Sequence, residues 1–219
     1  MNPWAVSSGF HSMNTASVSG VEAMRLNVAG LSRIEKGELI LANSQLYSGT
    51  GLSINAGGYA TKLGKNGTLG RSLMSLEFGE IPVTTVNQPE GSGGTFSPSF
   101  FNIGLGYSYL YDNKISVGVL FRGVSEALPS VTAFGLAIDA GVQYVSGEKD
   151  NLKLGISLRN TGAPMEFQGQ GLSLQAANTD GSVSGEEYFI TVEQRAEDFE
   201  LPSTLTVSYT HLRAHETTS

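Results

Sequence analysis

Histidine is the residue type in this sequence best suited to metal and acid–base chemistry, and the chain has three of them. His211 and His215 lie four residues apart and Glu216 follows, which is the spacing of a zinc-binding pair on a helix. A zinc site needs at least one further ligand, and the remaining histidine, His11, lies at the far end of the chain. We therefore predict no metal and no cofactor.

The sequence also offers few candidate residues for nucleophilic catalysis. The chain has no cysteine, which excludes disulfides, cysteine zinc sites and a thiol nucleophile. His11 has no local partner of the kind that a catalytic triad or a general base requires. We predict no catalytic residues and a protein that is not an enzyme.

Composition excludes further classes of partner. The net charge is −7 and no lysine or arginine cluster occurs, which argues against nucleic acid as a partner. No apolar run approaches the roughly 20 residues of a transmembrane helix. Only 15% of the residues are charged and 28 are glycine, which is typical of strands that are apolar on one side only.

The elements that follow residue 37 are predicted from period-two alternation. In "SFFNIGLGYSYLYDN", residues 99–113, aromatic and aliphatic side chains alternate with small or polar ones, and a turn at Asp112-Asn113 follows. Similar runs predict about eight strands, ending with a pair at residues 188–195 and 203–209. The sequence therefore indicates an all-β, antiparallel fold.

The side of each strand opposite the apolar one suggests the type of β protein. It carries Gly, Ala, Ser and Asn, whereas the exposed face of a soluble sandwich is usually richer in charged residues. Aromatic residues near strand ends, with short turns alternating with long loops, are typical of an outer-membrane β-barrel. A soluble β-sandwich or jelly roll remains the alternative.

Charged residues at alternate strand positions are the candidate interior of such a barrel. Arg or Lys facing lipid at the membrane midplane costs about 2–4 kcal/mol, so we expect these side chains to face the lumen. A structural network is the first interpretation, and contact with a substrate is the second. The predicted lumen residues are Arg71, Glu77, Arg122, Asp139, Lys153 and Arg159.

The glycine-rich stretch within residues 80–98 is a candidate contact loop. Its "GSGG" is no phosphate-binding loop, because no Lys-Ser/Thr follows and no helix is expected there. We predict a flexible outer loop in which Pro89, Glu90 and Phe96 contact a protein partner. A plain surface loop is the alternative.

The first 37 residues differ from the rest. "VEAMRLNVAGLSRIEKG" predicts two turns of helix, and the segment is too small to be a domain. We predict that it plugs the barrel. The chain then divides into a plug or hatch at 1–37, barrel strands at 38–206 and a tail at 207–219.

Several of these stretches together resemble a known family. "NPWAVSSGFHSMNTASVSGVEAMRLNVAGLSR", "GLSINAGGYA", "FGEIPVTTV", "PEGSGGTFSPSFFNIGLGYSY", "LAIDAGVQYVSG" and "LKLGISLRNTGAPMEFQGQGLS" look like the PorV/PorQ outer-membrane proteins of the Bacteroidetes, which are related to FadL-type fatty acid channels. The resemblance implies a barrel of about fourteen transmembrane strands with a short N-terminal helical hatch. It also implies a Gram-negative outer membrane, lipid contact and a non-enzymatic role in type IX protein secretion.

The resemblance implies a hatch motif at Asn27, Val28, Ala29 and Gly30, where FadL-like hatches carry Asn-Pro-Ala. Val28 stands in the place of that proline, which puts a gating role in doubt. For the PorV branch, the resemblance implies binding of secreted cargo and its delivery to a surface attachment complex. The alternatives are a FadL-type channel for hydrophobic small molecules and an eight-stranded barrel that serves as a structural anchor.

The tail has a resemblance of its own. "VSYTHLRAHET", residues 207–217, is similar to the translation of a sequencing-library adapter. We therefore expect residues 207–219 to be largely foreign, which removes His211 and His215 from every mechanism. The N-terminus lacks the basic and apolar regions of a signal peptide, so we expect a fragment cut at both ends, with about eight strands of the barrel present.

Overall fold

The computed structural model describes residues 2–177 and 189–211, and most of these residues form antiparallel β-sheet. The prediction of an all-β fold is confirmed. The strands are β1 (Gly37–Gln45), β2 (Ser53–Leu63), β3 (Gly67–Glu77), β4 (Ile81–Pro82), β5 (Thr95–Phe96), β6 (Ser99–Tyr111), β7 (Ile115–Ala127), β8 (Thr132–Ser146), β9 (Leu152–Gly162), β10 (Phe167–Gln168), β11 (Ser173–Ala177), β12 (Phe189–Glu193) and β13 (Thr204–His211).

One large sheet contains nine of these strands. Eight follow the order β1-β2-β3-β6-β7-β8-β9-β13, and β10 pairs beside β8. Two small ribbons, β4-β5 and β11-β12, lie outside it. The predicted pairing of residues 188–195 with 203–209 is wrong, because β13 pairs with β9 and β12 pairs with β11; Tyr188 lies outside the described residues.

The turns follow the local chemistry of the chain. Asp112 and Asn113 adopt positive φ angles of 45° and 56° between β6 and β7. Asp and Asn tolerate this left-handed conformation, and its twist matches that of the flanking strands. The hairpin predicted at this point is therefore confirmed.

Helical structure is short and lies mainly before the sheet. The α-helices are α1 (Ala5–Gly9) and α2 (Ala23–Leu26), and 3-10 helices span Gly20–Glu22, Val28–Arg33, Glu148–Asp150 and Gln170–Leu172. Within the described part of the chain, no helix is long and apolar enough to cross a membrane.

The two faces of the sheet have opposite character. On β6, Phe101, Ile103 and Leu105 are 42%, 58% and 49% exposed, whereas Gly106 and Ser108 on the other side are buried. We call the apolar, exposed side the outer face and the opposite side the inner face. The exposed side is the apolar one, which is the reverse of a water-soluble sheet.

The buried core lies between the inner face and the N-terminal segment. That segment, residues 2–36, contributes most of the apolar side chains, and the sheet contributes two alanines and one leucine. The main cluster contains Trp4, Val21, Met24, Val28, Leu31, Ala56, Ala60 and Leu120.

Candidate functional site

Asn27 anchors the N-terminal segment to the sheet. It is 1% exposed, and its amide Nδ2 donates to the carbonyl oxygens of Thr15 at 3.1 Å, Val142 at 3.1 Å and Ile156 at 3.3 Å. Its Oδ1 accepts from the backbone N–H of Ala29 at 3.2 Å, which caps the 3-10 helix Val28–Arg33. One side chain therefore joins the N-terminal segment to two neighbouring strands.

Polar side chains of the inner face complete this attachment by donating to backbone carbonyls of the segment. Ser108 Oγ donates to Ala29 O at 2.8 Å, and Ser157 Oγ donates to Leu26 O at 2.7 Å. Gln143 Nε2 donates to Thr15 O at 3.0 Å and to Val18 O at 2.9 Å. Because these three side chains are buried, each bond forms out of contact with water and fixes the position of the segment.

Glycines of the inner face let the two backbones approach closely. A Cβ placed on Gly118 would lie 2.8 Å from the carbonyl carbon of Val28, and one on Gly155 would lie 2.6 Å from Cα of Ala16. Real Cβ atoms essentially never come this close to backbone. The glycine-rich side of the sheet is therefore the surface on which the N-terminal segment packs.

The predicted hatch motif lies entirely within this contact. Val28 and Ala29 are 2% and 0% exposed, and Gly30 packs so closely on Val18 that a side chain there would meet its carbonyl group. Asn27 is the residue of the motif whose side chain makes polar contacts with the sheet. The motif is a buried attachment point.

A second polar cluster lies on the inner face, centred on Asp139. Arg122 Nε donates to Asp139 Oδ2 and Arg122 Nη2 donates to Oδ1, both at 2.9 Å, so the pair is bidentate. Both side chains are buried, at 6% and 5% exposure. Asn160 accepts from Arg122 Nη2 through Oδ1 and donates its backbone N–H to Asp139 Oδ1 at 2.7 Å.

Two further arginines lie near this pair. Arg159 Nε is 4.0 Å from Asp139 Oδ2. Arg25, in α2, has a pKa lowered to about 10, first by burial and then by the neighbouring charges of Arg159 and Arg122. This value leaves Arg25 protonated at neutral pH, so the inner face holds several positive charges in a space that is largely closed to water.

The structure separates the six predicted lumen residues into two groups. Arg122, Asp139, Lys153 and Arg159 lie on the inner face, and all except Lys153 belong to the Asp139 cluster. Arg71 and Glu77 lie on the outer face, so the prediction that they share the inner face is wrong. The reason is register: Arg71 lies opposite Tyr59 and Leu105, and directly opposite residues of an antiparallel pair share a face.

The predicted contact residues lie apart from these clusters. Pro89 and Glu90 are exposed in the connection between β4 and β5, and Phe96 belongs to β5, where it pairs with Ile81. His11 is exposed in the N-terminal segment and His211 ends β13, whereas His215 and Glu216 lie outside the described residues. Among residues 2–177 and 189–211, no group of three or more His, Asp or Glu side chains could hold a metal ion.

Sequence reasoning missed several residues that shape the site. Arg25 and Asn160 had no signal beyond their types, because their positions depend on the tertiary fold. Ser108, Gln143 and Ser157 occupy inner-face positions in the alternating pattern, and that alternation was the signal that could have identified them. No family model matches this chain, and no curated protein matches it significantly.

Proposed function

We propose that the large sheet is the wall of a transmembrane β-barrel in an outer membrane, and that the N-terminal segment is its plug. The observation that carries this proposal is the exposed apolar outer face. Its side chains include Leu39, Leu41, Tyr59, Leu73, Ile103, Leu105, Tyr107, Phe121, Phe134, Leu136 and Ile138, each at least 44% exposed.

Burial of this face in lipid gives a consistent account of both sides of the sheet. Each apolar side chain that leaves water gains roughly 1.5–3 kcal/mol, whereas leaving the whole face in water forfeits that energy. On the inner face, Ser108, Gln143 and Ser157 are hydrogen-bonded to the plug, and Arg122 pairs with Asp139. Lipid outside and the plug inside therefore suit the chemistry of the two faces.

Arg71 is a charged residue near the middle of the outer face that this proposal must accommodate, whereas Glu77 lies at the end of its strand. Arg71 lies level with Leu105, the central residue of β6, on the face assigned to lipid. A long arginine side chain lowers the cost of such a position by extending its guanidinium toward the polar membrane surface. The neighbouring Tyr59 offers a polar hydroxyl on the same face.

Lipid contact of the outer face is expected to be visible by tryptophan quenching. The native Trp4 belongs to the plug and is 3% exposed, so lipids brominated on their acyl chains should quench it weakly. A Leu105→Trp variant in a Trp4→Phe background should be quenched strongly in the same vesicles. Equal quenching of the two tryptophans would contradict the lipid-facing assignment.

For the function itself, we infer a non-enzymatic accessory of type IX protein secretion that receives cargo proteins and passes them to an attachment complex. The resemblance to PorV/PorQ proteins supports this inference. A barrel whose interior is occupied by a hydrogen-bonded plug is suited to presenting loops to protein partners. The loop that contains Pro89 and Glu90 is a candidate contact.

A FadL-type channel for hydrophobic small molecules is the second candidate. The observation that favours it is a cavity of about 250 Å³ on the inner face, lined by Ile54, Leu76, Phe100, Val124 and Leu201 together with polar groups. An apolar molecule entering the interior would find matching walls there.

Deletion of the gene in the cell that produces the protein separates the two functions. Loss of cargo proteins from the cell surface, with normal uptake of fatty acids and hydrocarbons, is expected for the secretion accessory. Loss of uptake with normal secretion would overturn that inference and support the channel. Re-expression of the intact gene is the control in both assays.

A further inference from the structure

Arg159 has an unfulfilled hydrogen-bonding requirement. Its Nε is buried and has no hydrogen-bond partner, and the carboxylate oxygen at 4.0 Å, Asp139 Oδ2, is too distant to accept from it. A guanidinium has five N–H donors and no acceptor, so burying one without an acceptor is unfavourable. The Nε–H of Arg159 is therefore a buried donor that lacks an acceptor, on a side chain that is 19% exposed as a whole.

Asp139 does not meet this need, because its nearer oxygen, Oδ2, lies 4.0 Å away and its hydrogen bonds go to Arg122 and Asn160. Oδ1 accepts from Arg122 Nη2 and from the backbone N–H of Asn160, and Oδ2 accepts from Arg122 Nε. The strand is also irregular here, with a register shift between Ile138 and Ala140. Asp139 is thus aimed at Arg122, and Arg159 is left beside the pair.

A cavity of about 30 Å³ lies at this point. Arg25, Arg122 and Arg159 line it together with Asp139, Asn102 and Ser72, so its described lining holds three guanidinium groups and one carboxylate. Since a water needs roughly 10–15 Å³ of such volume, the space has room for about two or three waters, which is comparable to a small oxyanion. The larger apolar cavity of about 250 Å³ shares Arg25, Met74, Asn102 and Arg122 with it.

We propose that this cavity is a binding site for an oxyanion, either a carboxylate or a phosphate group, with Arg159 as its principal ligand. An oxyanion supplies the acceptor that Arg159 Nε lacks and offsets the positive charge of the arginines. The adjoining apolar cavity would accept a hydrocarbon substituent on the same anion. The site lies on the inner face, so it does not depend on what covers the outer face.

The native protein contains its own probe of this site. Trp4 is the single tryptophan of the chain and lines the same cavity. Sodium acetate, sodium phosphate and sodium octanoate are each titrated into the folded full chain at constant ionic strength, with sodium chloride as the reference. We expect a saturable change of Trp4 fluorescence with at least one oxyanion below about 10 mM, ten times a Kd of about 1 mM.

The comparison of anions identifies the source of the oxyanion. Similar affinities for acetate, phosphate and octanoate would support a site for free small anions. Tighter binding of octanoate would support an anion with an apolar substituent in the larger cavity. A response no different from that of chloride for all three would overturn the proposal.

Substitution of Arg159 tests its role. Arg159→Gln removes the charge and is expected to weaken binding about 10- to 100-fold, which is the effect of losing a charged hydrogen bond. Arg159→Lys keeps the charge without the planar guanidinium, so its affinity should lie between those of the native protein and Arg159→Gln. Arg71→Gln, on the outer face, is the matched control and should leave the affinity unchanged. If Arg159→Gln bound the oxyanion as tightly as the native protein, Arg159 would not be its principal ligand.

Discussion

Replacing Asp139 with alanine is expected to destabilise the fold by about 3–5 kcal/mol, the usual cost of removing one partner of a buried ion pair. The carboxylate accepts two hydrogen bonds from Arg122 and one from the backbone N–H of Asn160. Without it, Arg122 stays buried near Arg25 and Arg159 with no carboxylate beside it among the described residues of the cluster. The variant therefore loses its hydrogen bonds and gains repulsion between cations.

Urea unfolding of the chain in lipid vesicles measures this change. Glu77→Ala is the matched control, because Glu77 is an exposed carboxylate at the end of β3, and its removal should change the free energy of unfolding by less than about 0.5 kcal/mol. If Asp139→Ala were no more destabilising than Glu77→Ala, the ion pair would have no structural role.

A double substitution separates two effects of Asp139→Ala: the loss of the ion pair, and the burial of the Arg122 charge without a partner. Arg122→Met with Asp139→Leu removes both charges and refills the space with apolar groups. Because most of the single-variant cost comes from the stranded charge, the double variant should be more stable than Asp139→Ala alone. Additive losses would show instead that each side chain stabilises the fold through other contacts.

Alternation along the strands predicted much of this fold because side-chain direction in a strand is a local property. Phe101, Ile103 and Leu105 share a face for the same reason that Gly104 and Gly106 share the other. The same rule places Arg71 on the face of Leu73. The prediction for Arg71 was wrong because it was based on the charge of the side chain and not on its place in the alternation.

The sites could not be predicted in this way, because they join segments that are far apart in the sequence. Ser108 meets Ala29 across 79 residues, and Gln143 meets Thr15 across 128. The Asp139 cluster also depends on a register shift in β8 and on Asn160, whose φ angle of 59° departs from strand geometry. No periodic pattern encodes such irregularities, so they become visible only in three dimensions.

Asn27→Asp is expected to release the N-terminal segment from the sheet. The substitution keeps the shape of the side chain but turns a donor toward three carbonyl oxygens into an ionised acceptor. Loss of these bonds, together with burial of an unpaired charge, should destabilise the plug by about 3 kcal/mol or more. Asn27→Ala removes the bonds without adding a charge, so its effect should be smaller, about 1–3 kcal/mol.

Limited proteolysis can tell release of the plug from collapse of the sheet. In Asn27→Asp, residues 2–36 should be cleaved faster than in the native chain, while the strands of the large sheet keep their resistance. Asn43→Asp is the isosteric control: Asn43 is exposed on β1 and bonds to Asn55, whose amide can turn to donate to the new carboxylate. If Asn27→Asp were cleaved at the same rate as Asn43→Asp, the attachment would reside in Ser108, Gln143 and Ser157. Because these three side chains donate only to backbone carbonyls, the sequence of the plug would then matter less than its backbone path.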